Sequence, residues 1–348
     1  MEKDAKDLKE IKCVVWDLDG TIWDGILLES DDVKLKPKIR DVIQTLDSRG
    51  ILHSIASKNV YDVAMQKVRD FGLEEYFLYP EISWNAKSSS IKCIQENLNI
   101  GLDTIMLIDD QPFERDEVNY EYPEVLCVDA SEYRTLPSHS RLNPRFISED
   151  SNRRRLMYLE DIERKREEKN YEGPKKDFLA SLNMQFIISE AKEEDLKRAE
   201  ELTVRTNQLN TTGKTYDYDE LKMMLNSKKH KVLISDLKDK YGSYGKIGLA
   251  VVEKTKKFWN LKLFLMSCRV MTYGVGTVLL SYIMKQAKED RKTLRADYKH
   301  TERNRMMFIT FKFANFKEIG SASDNCVILE NDLSMIQDYP PYINITTR

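Results

Sequence analysis

Ile11-Lys-Cys-Val-Val-Trp-Asp-Leu-Asp-Gly-Thr21 decides how the first half of the chain folds. Its short apolar run, ending at Trp16, reads as a buried strand. The run stops at Asp17 and Asp19, two carboxylates two residues apart. If the extended backbone continues past Trp16, both point to the same side. Outward from there, strand and helix patterns alternate. Lys38 to Arg49 places Ile39, Val42, Ile43 and Leu46 at helical spacing and stops at Gly50. Ile51 to Ala56 is a second strand, and Val60 to Phe71, closed by Gly72, a second helix. Ser88 to Leu98 is a third helix, Thr104 to Ile108 a strand ending in Asp109-Asp110, and Val125 to Val128 the last strand. This order predicts an α/β unit with a parallel sheet and helices on both faces. Such sheets bind ligands beyond the carboxyl ends of their strands. Asp17, Asp19, Ser57, Asp109 and Asp110 all fall there.

The chain has 348 residues, enough for about two domains. Its 55 basic and 58 acidic side chains leave a formal charge of −3, so no global basic field invites nucleic acid. The longest apolar run, Val278 to Met284, is broken by Ser281 and Tyr282 and falls well short of the ~20 residues of a membrane span. Met1 to Glu10 has no apolar signal core. Five scattered cysteines with no Cys-x-x-Cys exclude a disulfide framework and a zinc ribbon. They fit a reducing compartment, so a cytoplasmic location is expected.

Two carboxylates at one strand exit repel unless a proton or cation lies between them. Asp109 and Asp110 add charge from another exit, and all-oxygen ligation of this kind suits Mg²⁺. Ser57 and Lys87 then suit a transferring phosphoryl group. Alone, Asp-x-Asp-x-Thr is equally a polar strand-to-loop transition. Taken together, Val-Val-Trp-Asp-Leu-Asp-Gly-Thr21, Ser-Ile-Ala-Ser-Lys-Asn59, Asn-Ala-Lys87 and Leu-Ile-Asp-Asp110 resemble the haloacid dehalogenase (HAD) superfamily of aspartate-based phosphotransferases over roughly residues 10–130. The resemblance implies a HAD-like Rossmannoid sheet with Asp17 as nucleophile and Asp19 as general acid and base. It makes Thr21 the companion of that loop and gives Ser57 and Lys87 the phosphate. It implies Mg²⁺ on Asp17, the Asp19 backbone carbonyl and Asp109, supported by Asp110. Gly20 and Asp24 depart from the asparagine and small residue frequent in the first motif. The intervals on either side of Ser57 hold no separate cap domain, so an open, capless site is expected.

Past Asp129 the pattern dissolves. Ser151 to Lys169 is highly charged, with Arg153, Arg154 and Arg155 in a row and a thin stripe of Leu156, Leu159 and Ile162. It reads as a solvated helix, so the expected organisation is residues 1–133, a connector at 134–180, and a second domain at 181–348. There, Met184 to Ile188 is strand-like, Glu194 to Val204 and Tyr218 to Leu225 are helical, and strand-like runs at 231–235, 246–252 and 259–266 follow. Gly274-Val-Gly276 opens a helix, then come a strand at 293–298 and a helix from Glu302. The order βααβββαβαβ, with Arg269 ahead of Gly274 and Gly276, resembles the GNAT acyltransferase fold, whose corresponding loop cradles the pyrophosphate of coenzyme A. Asp338 to Tyr342 reads as an irregular tail.

Arg205-Thr-Asn-Gln-Leu-Asn210 and Leu265-Met-Ser-Cys-Arg-Val270, joined to a HAD unit upstream, resemble the FkbH-like family, HAD subfamily IIIC, over about residues 10–320. That resemblance implies a glyceryltransferase and phosphatase of polyketide biosynthesis. Such enzymes take 1,3-bisphosphoglycerate, form a phosphoglyceryl thioester, remove the phosphate and pass the glyceryl group to an acyl carrier protein on its phosphopantetheine arm. It makes Cys268 the thiol, although a free cysteine is by default a buried structural residue. Arg269, turned inward, would activate Cys268 and hold phosphate. Asn207, Gln208, Thr301 and Asn304 are expected as polar positioning groups, and Cys13, Cys93 and Cys127 as core. Two alternatives stay open: a HAD phosphatase fused to a CoA-dependent N-acetyltransferase, and a second domain that only docks a carrier.

Overall fold

The computed structural model describes residues 9–322 and 326–348. Met1 to Leu8, which open the expected first domain and the stretch read as lacking a signal core, lie outside the described residues. The chain divides into two units, Met1–Leu159 and Glu160–Arg348. The stretch expected as a connector, 134–180, is therefore shared between them.

In the first unit, β1 (Cys13–Trp16), β2 (Leu52–Ser57), β3 (Glu81–Ile82), β4 (Ile105–Asp109) and β5 (Leu126–Asp129) form one parallel sheet in the order β3-β2-β1-β4-β5. Every residue of β1, β2 and β4 is buried, as strands covered on both faces must be. α1 (Ile39–Ser48), α2 (Tyr61–Asp70), α3 (Lys87–Leu98) and α4 (Pro112–Glu121) supply the connections. α1 buries Ile39, Val42, Ile43 and Leu46, as its spacing predicts. Trp16 stands in register with Ile55 of β2 and Ile108 of β4. The next positions along, Asp17 and Asp109, therefore leave the sheet side by side. The α/β reading holds. The interval 22–37 contains only a two-residue ladder, Trp23–Asp24 against Lys34–Leu35.

One expectation fails here. The backbone does not stay extended beyond Trp16: the N–H groups of Thr21, Ile22 and Trp23 all donate to the Leu18 carbonyl. The strand–helix alternation stops after Asp129, as expected, but the segment still adds to the core. Ala130–Ser138 is a 3₁₀ run that buries Ala130, Tyr133 and Leu136, and the Tyr133 hydroxyl donates to the Pro37 carbonyl at 2.6 Å.

The charged helix α5 (Arg154–Asn170) is less solvated than its composition predicts. Leu156 is 42% exposed while Met157 and Tyr158 are buried. Arg154 and Arg155 of the arginine run are engaged within the protein. Arg154 donates to the Gly50 carbonyl at 2.7 Å. Arg155 pairs with Asp47 at 3.1 Å and lies over the Tyr76 ring. Further along, Arg164 is buried against Asp239 at 2.6 Å and the face of Tyr244.

After α6 (Lys175–Ser181), the second unit places β6 (Met184–Glu190), α7 (Leu196–Arg205), α8 (Tyr218–Leu225), β7 (His230–Lys238), β8 (Ser243–Lys254), β9 (Phe258–Met266), α9 (Val275–Glu289), β10 (Thr293–Lys299) and α10 (Arg305–Phe313) in the expected order. It then adds β11 (Lys317–Ala322), β12 (Cys326–Asn331) and β13 (Ile343–Thr347). The mixed sheet runs β11-β12-β10-β9-β8-β7-β6-β13. β9 and β10 pair in parallel only from Phe258 to Leu261 against Thr293 to Ala296. Past that point they part, and Leu209 to Thr211 fill the gap. The Thr211 N–H donates to Phe264 O at 3.1 Å, the Lys299 N–H to Thr211 O at 3.0 Å, and the Met266 N–H to Leu209 O at 2.9 Å. Asp338 to Tyr342 is irregular, as expected, yet Tyr339 and Tyr342 pack on the core, and β13 follows beside β6. Among the described residues, no helix is long and apolar enough to cross a membrane.

Candidate active site

At the carboxyl edge of the parallel sheet, one buried ammonium gathers the acids of three elements. Lys87, the first residue of α3, sets Nζ 2.8 Å from Asp17 Oδ1, 2.8 Å from Asp109 Oδ2 and 3.1 Å from Glu114 Oε2. It also donates to the Ala56 carbonyl at 2.8 Å. Burial opposes the charge on Lys87, but Asp17, Asp109 and Glu114 hold its pKa above the ordinary lysine range. Burial raises the Asp17 carboxyl even though Lys87 and the Ser57 hydroxyl pull it down. Asp109 is raised by burial and by Asp17, and Asp110 by burial and by Asp109. Glu114 is lowered: burial is outweighed by Lys87 and by Lys58, whose Nζ stands 2.6 Å away.

Asp17, Asp109 and Asp110 offer carboxylate oxygens that all lie within 4.8 Å of one another. Burial and mutual repulsion make this set costly without a cation beyond Lys87. Gly20 closes the cradle. At φ +69° it adopts a left-handed turn, and a Cβ there would fall 2.5 Å from Asp110 Oδ2. The departure at Gly20 therefore has a steric reason. The donor set fits a hard divalent cation such as Mg²⁺, held by these three carboxylates. The Asp19 carboxylate stands outside them, and the resemblance assigns only its backbone carbonyl.

Asp19 is held from three sides. Its Oδ1 accepts from Trp23 Nε1 at 2.7 Å and the Leu27 N–H at 3.0 Å, and its Oδ2 from Asn59 Nδ2 at 3.1 Å. Thr21 is fully buried, and its hydroxyl has no hydrogen-bond partner among the described residues. Sequence reasoning missed Glu114, Lys58 and Asn59 as members of this site. Lys58 and Asn59 sit in the motif quoted for Ser57, so adjacency was the available signal. Glu114 lies five residues after Asp109, in a helix with no apolar stripe to announce it.

The second unit gathers its expected residues less tightly. Cys268 is half-buried and opens the 3₁₀ turn Cys268–Tyr273 directly after β9. The Arg269 guanidinium donates to the Tyr244 carbonyl at 2.8 Å. Gly274, at φ +80°, caps α9, and a Cβ on it would lie 3.3 Å from the Tyr342 hydroxyl. Gly276 is the second residue of α9, and a Cβ on it would lie 3.5 Å from Met266. Asn207 and Gln208 are half-buried in the segment leading to the wedge. Thr301 and Asn304 do come together, but as a structural tie. Asn304 Oδ1 accepts from the Tyr298 hydroxyl and the Thr301 N–H, while Nδ2 reaches the carbonyls of Asn210, Thr211 and Lys299. Its side chain is engaged within the protein, at both the amide oxygen and the amide nitrogen. Cys13 is core as expected, but Cys93 and Cys127 are half-buried, and the Cys93 thiol donates to Glu81 Oε1 at 2.9 Å.

No family model matches the chain, and no curated protein matches it. Solved structures resemble parts of it. One is the N-terminal, phosphatase-domain-containing part of a Bacteroides fragilis protein, complexed with Mg: 27% identity, 37% of this chain and 39% of that one, TM-score 0.35. The match thus spans well under half of that chain's length. Another is the ribosomal-protein-S18-alanine N-acetyltransferase of Escherichia coli, at 13% identity over 44% of this chain and 97% of that one, TM-score 0.35. A third is an N-acetyltransferase from Staphylococcus aureus Mu50, at 17% identity over 43% and 99%, TM-score 0.32.

Proposed function

We propose that the chain is a bifunctional glyceryltransferase and phosphatase acting with Mg²⁺, 1,3-bisphosphoglycerate and an acyl carrier protein of polyketide biosynthesis. The observation that carries the phosphatase half is Lys87, clamped between Asp17 and Asp109. Asp17 attacks the phosphorus of the monoester, and the P–O bond to the leaving alkoxide breaks. Asp19 supplies that alkoxide with a proton from Oδ2, the oxygen that carries a single hydrogen bond. Water then attacks the aspartyl-phosphate, Asp19 takes its proton, and phosphate leaves Asp17 as it began. Lys87 and Ser57 hold the phosphoryl oxygens and keep Asp17 aimed along the line of attack. Mg²⁺, when bound, offsets the repulsion between the nucleophile and the phosphate. In the second unit, the Cys268 thiolate displaces phosphate from the acyl phosphate, a group already activated and in no need of the aspartate machinery. The glyceryl group then passes from Cys268 to the carrier thiol.

Incubation with 1,3-bisphosphoglycerate, Mg²⁺ and a carrier, followed by intact-mass measurement, tests the reading. A phosphoglyceryl adduct on the enzyme and a glyceryl adduct on the carrier are expected; an absence of either kind of adduct rejects it. The glycine turn at the start of α9 favours a second reading, a CoA-dependent N-acetyltransferase. Tight CoA binding in calorimetry without any carrier would select it.

A further inference from the structure

Beyond the residues already assigned, we propose that Lys214, Lys262 and Lys299 form a binding pocket in the second unit for a small dianion of the phosphomonoester class. The pocket is a cavity of about 470 Å³ lined also by Thr212, Asp297 and Cys326. It follows from the parting of β9 and β10. Side chains alternate along β10, so Asp297 and Lys299 share one face of the sheet. Cys326 of β12 stands in register with Lys299. Lys262, from β9, reaches Asp297 Oδ2 at 2.6 Å. Lys214 comes from the loop that follows the Leu209–Thr211 wedge and lies over the Tyr216 ring at 4.1 Å.

The walls are fixed. Asn210 Oδ1 accepts from the N–H groups of Thr212 and Gly213 at 3.1 and 3.0 Å. Asn304 holds the wedge and the end of β10 to each other. The lining holds three lysines to one carboxylate, Asp297, which pairs with Lys262, while Glu220 stands 3.2 Å from Lys214 at the exposed rim. Lys299 makes no ion pair among the described residues. A net-acidic chain that concentrates cations in one concavity focuses its field on anions there. Lysines serve as point-charge partners for phosphate, and a cavity of this size suits a small ligand. No residue of the first unit takes part, so the proposal stands apart from the phosphatase reading.

Cys326 reports on occupancy. The full-length protein is alkylated with iodoacetamide across a titration of inorganic phosphate at constant ionic strength, and the Cys326 and Cys127 peptides are quantified by mass spectrometry. Phosphate is expected to slow Cys326 while leaving Cys127 unchanged; at ten times its Kd, a fully shielded thiol slows roughly 11-fold. Lys299→Met, which breaks no ion pair, should weaken the protection, and Lys262→Met with Lys299→Met should abolish it. A Cys326 rate indifferent to phosphate overturns the proposal. So does protection that survives the double variant, or protection shared equally by Cys127.

Discussion

Lys87 shows how one side chain sets the character of the candidate active site. It is the buried cation shared by Asp17, Asp109 and Glu114. Removing one partner of a buried ion pair costs about 3–5 kcal/mol, because the remaining charges stay desolvated and unpaired. Lys87→Met should therefore lower thermal stability by that order in EDTA, and Mg²⁺ should stabilise the variant more than it stabilises the parent protein. Equal melting curves with and without Mg²⁺ in the variant would argue against a cation site at these carboxylates. His53 gives a cleaner pH experiment. Its Nδ1 accepts from Trp16 Nε1 at 3.0 Å and its Nε2 faces the Ile43 carbonyl at 3.1 Å, so the ring is neutral with the proton on Nε2. Burial pushes its pKa down to about 3. The unfolded chain takes up a proton near pH 6.5 and the folded chain does not, so stability falls as pH drops from there toward 3. One such group contributes a slope of about 1.4 kcal/mol per pH unit. His53→Gln, which keeps an acceptor and a donor, should flatten the dependence of stability on pH below 6.5. An unchanged slope assigns the acid sensitivity elsewhere.

At the scale of elements, what was legible depended on whether burial left a period in the sequence. α1 buries four apolar residues at helical spacing, and it was read almost to the residue. α4 buries only Glu114 and Val118, so it left no stripe and was missed, and Glu114 with it. Asp17 and Asp109 of the candidate site were legible because each closes an apolar strand run, and the shared register of β1 and β4 brings them side by side. The asparagines of the second unit were legible as polar but not as structural, because their role lies in contacts between positions some ninety residues apart. Asn304 is the example: its side chain ties Asn210 and Thr211 to the end of β10, holding the wedge in the sheet. Asn304→Ala strands several buried partners, each worth roughly 1–3 kcal/mol and not additive. A loss of about 3 kcal/mol is expected, read as a fall in Tm of roughly 6–12 °C for a unit of this size. A stability close to the parent's would mean that water replaces the amide and that the wedge holds without it.

For the whole molecule, the chemistry of the proposed substrate asks for two different sites. An acyl phosphate yields to a thiolate alone, whereas a phosphomonoester needs an in-line nucleophile among fixed cations. The carboxylate cluster lies in Met1–Leu159 and Cys268 in Glu160–Arg348, so in the proposed reaction each half would depend on residues of its own unit. Two single substitutions should then halt the sequence at different masses. Asp17→Asn should reduce hydrolysis of a simple aryl phosphate by at least ~10³-fold and leave a phosphoglyceryl adduct on Cys268 that never loses its phosphate. Cys268→Ala should show no adduct at all, yet hydrolyse the aryl phosphate at the parent rate. Intact-mass measurement beside a colorimetric phosphatase assay checks both. A Cys268→Ala protein that still acylates the carrier removes the thiol from the reaction. An Asp17→Asn protein that loses both activities while keeping its melting temperature shows the two steps to be inseparable.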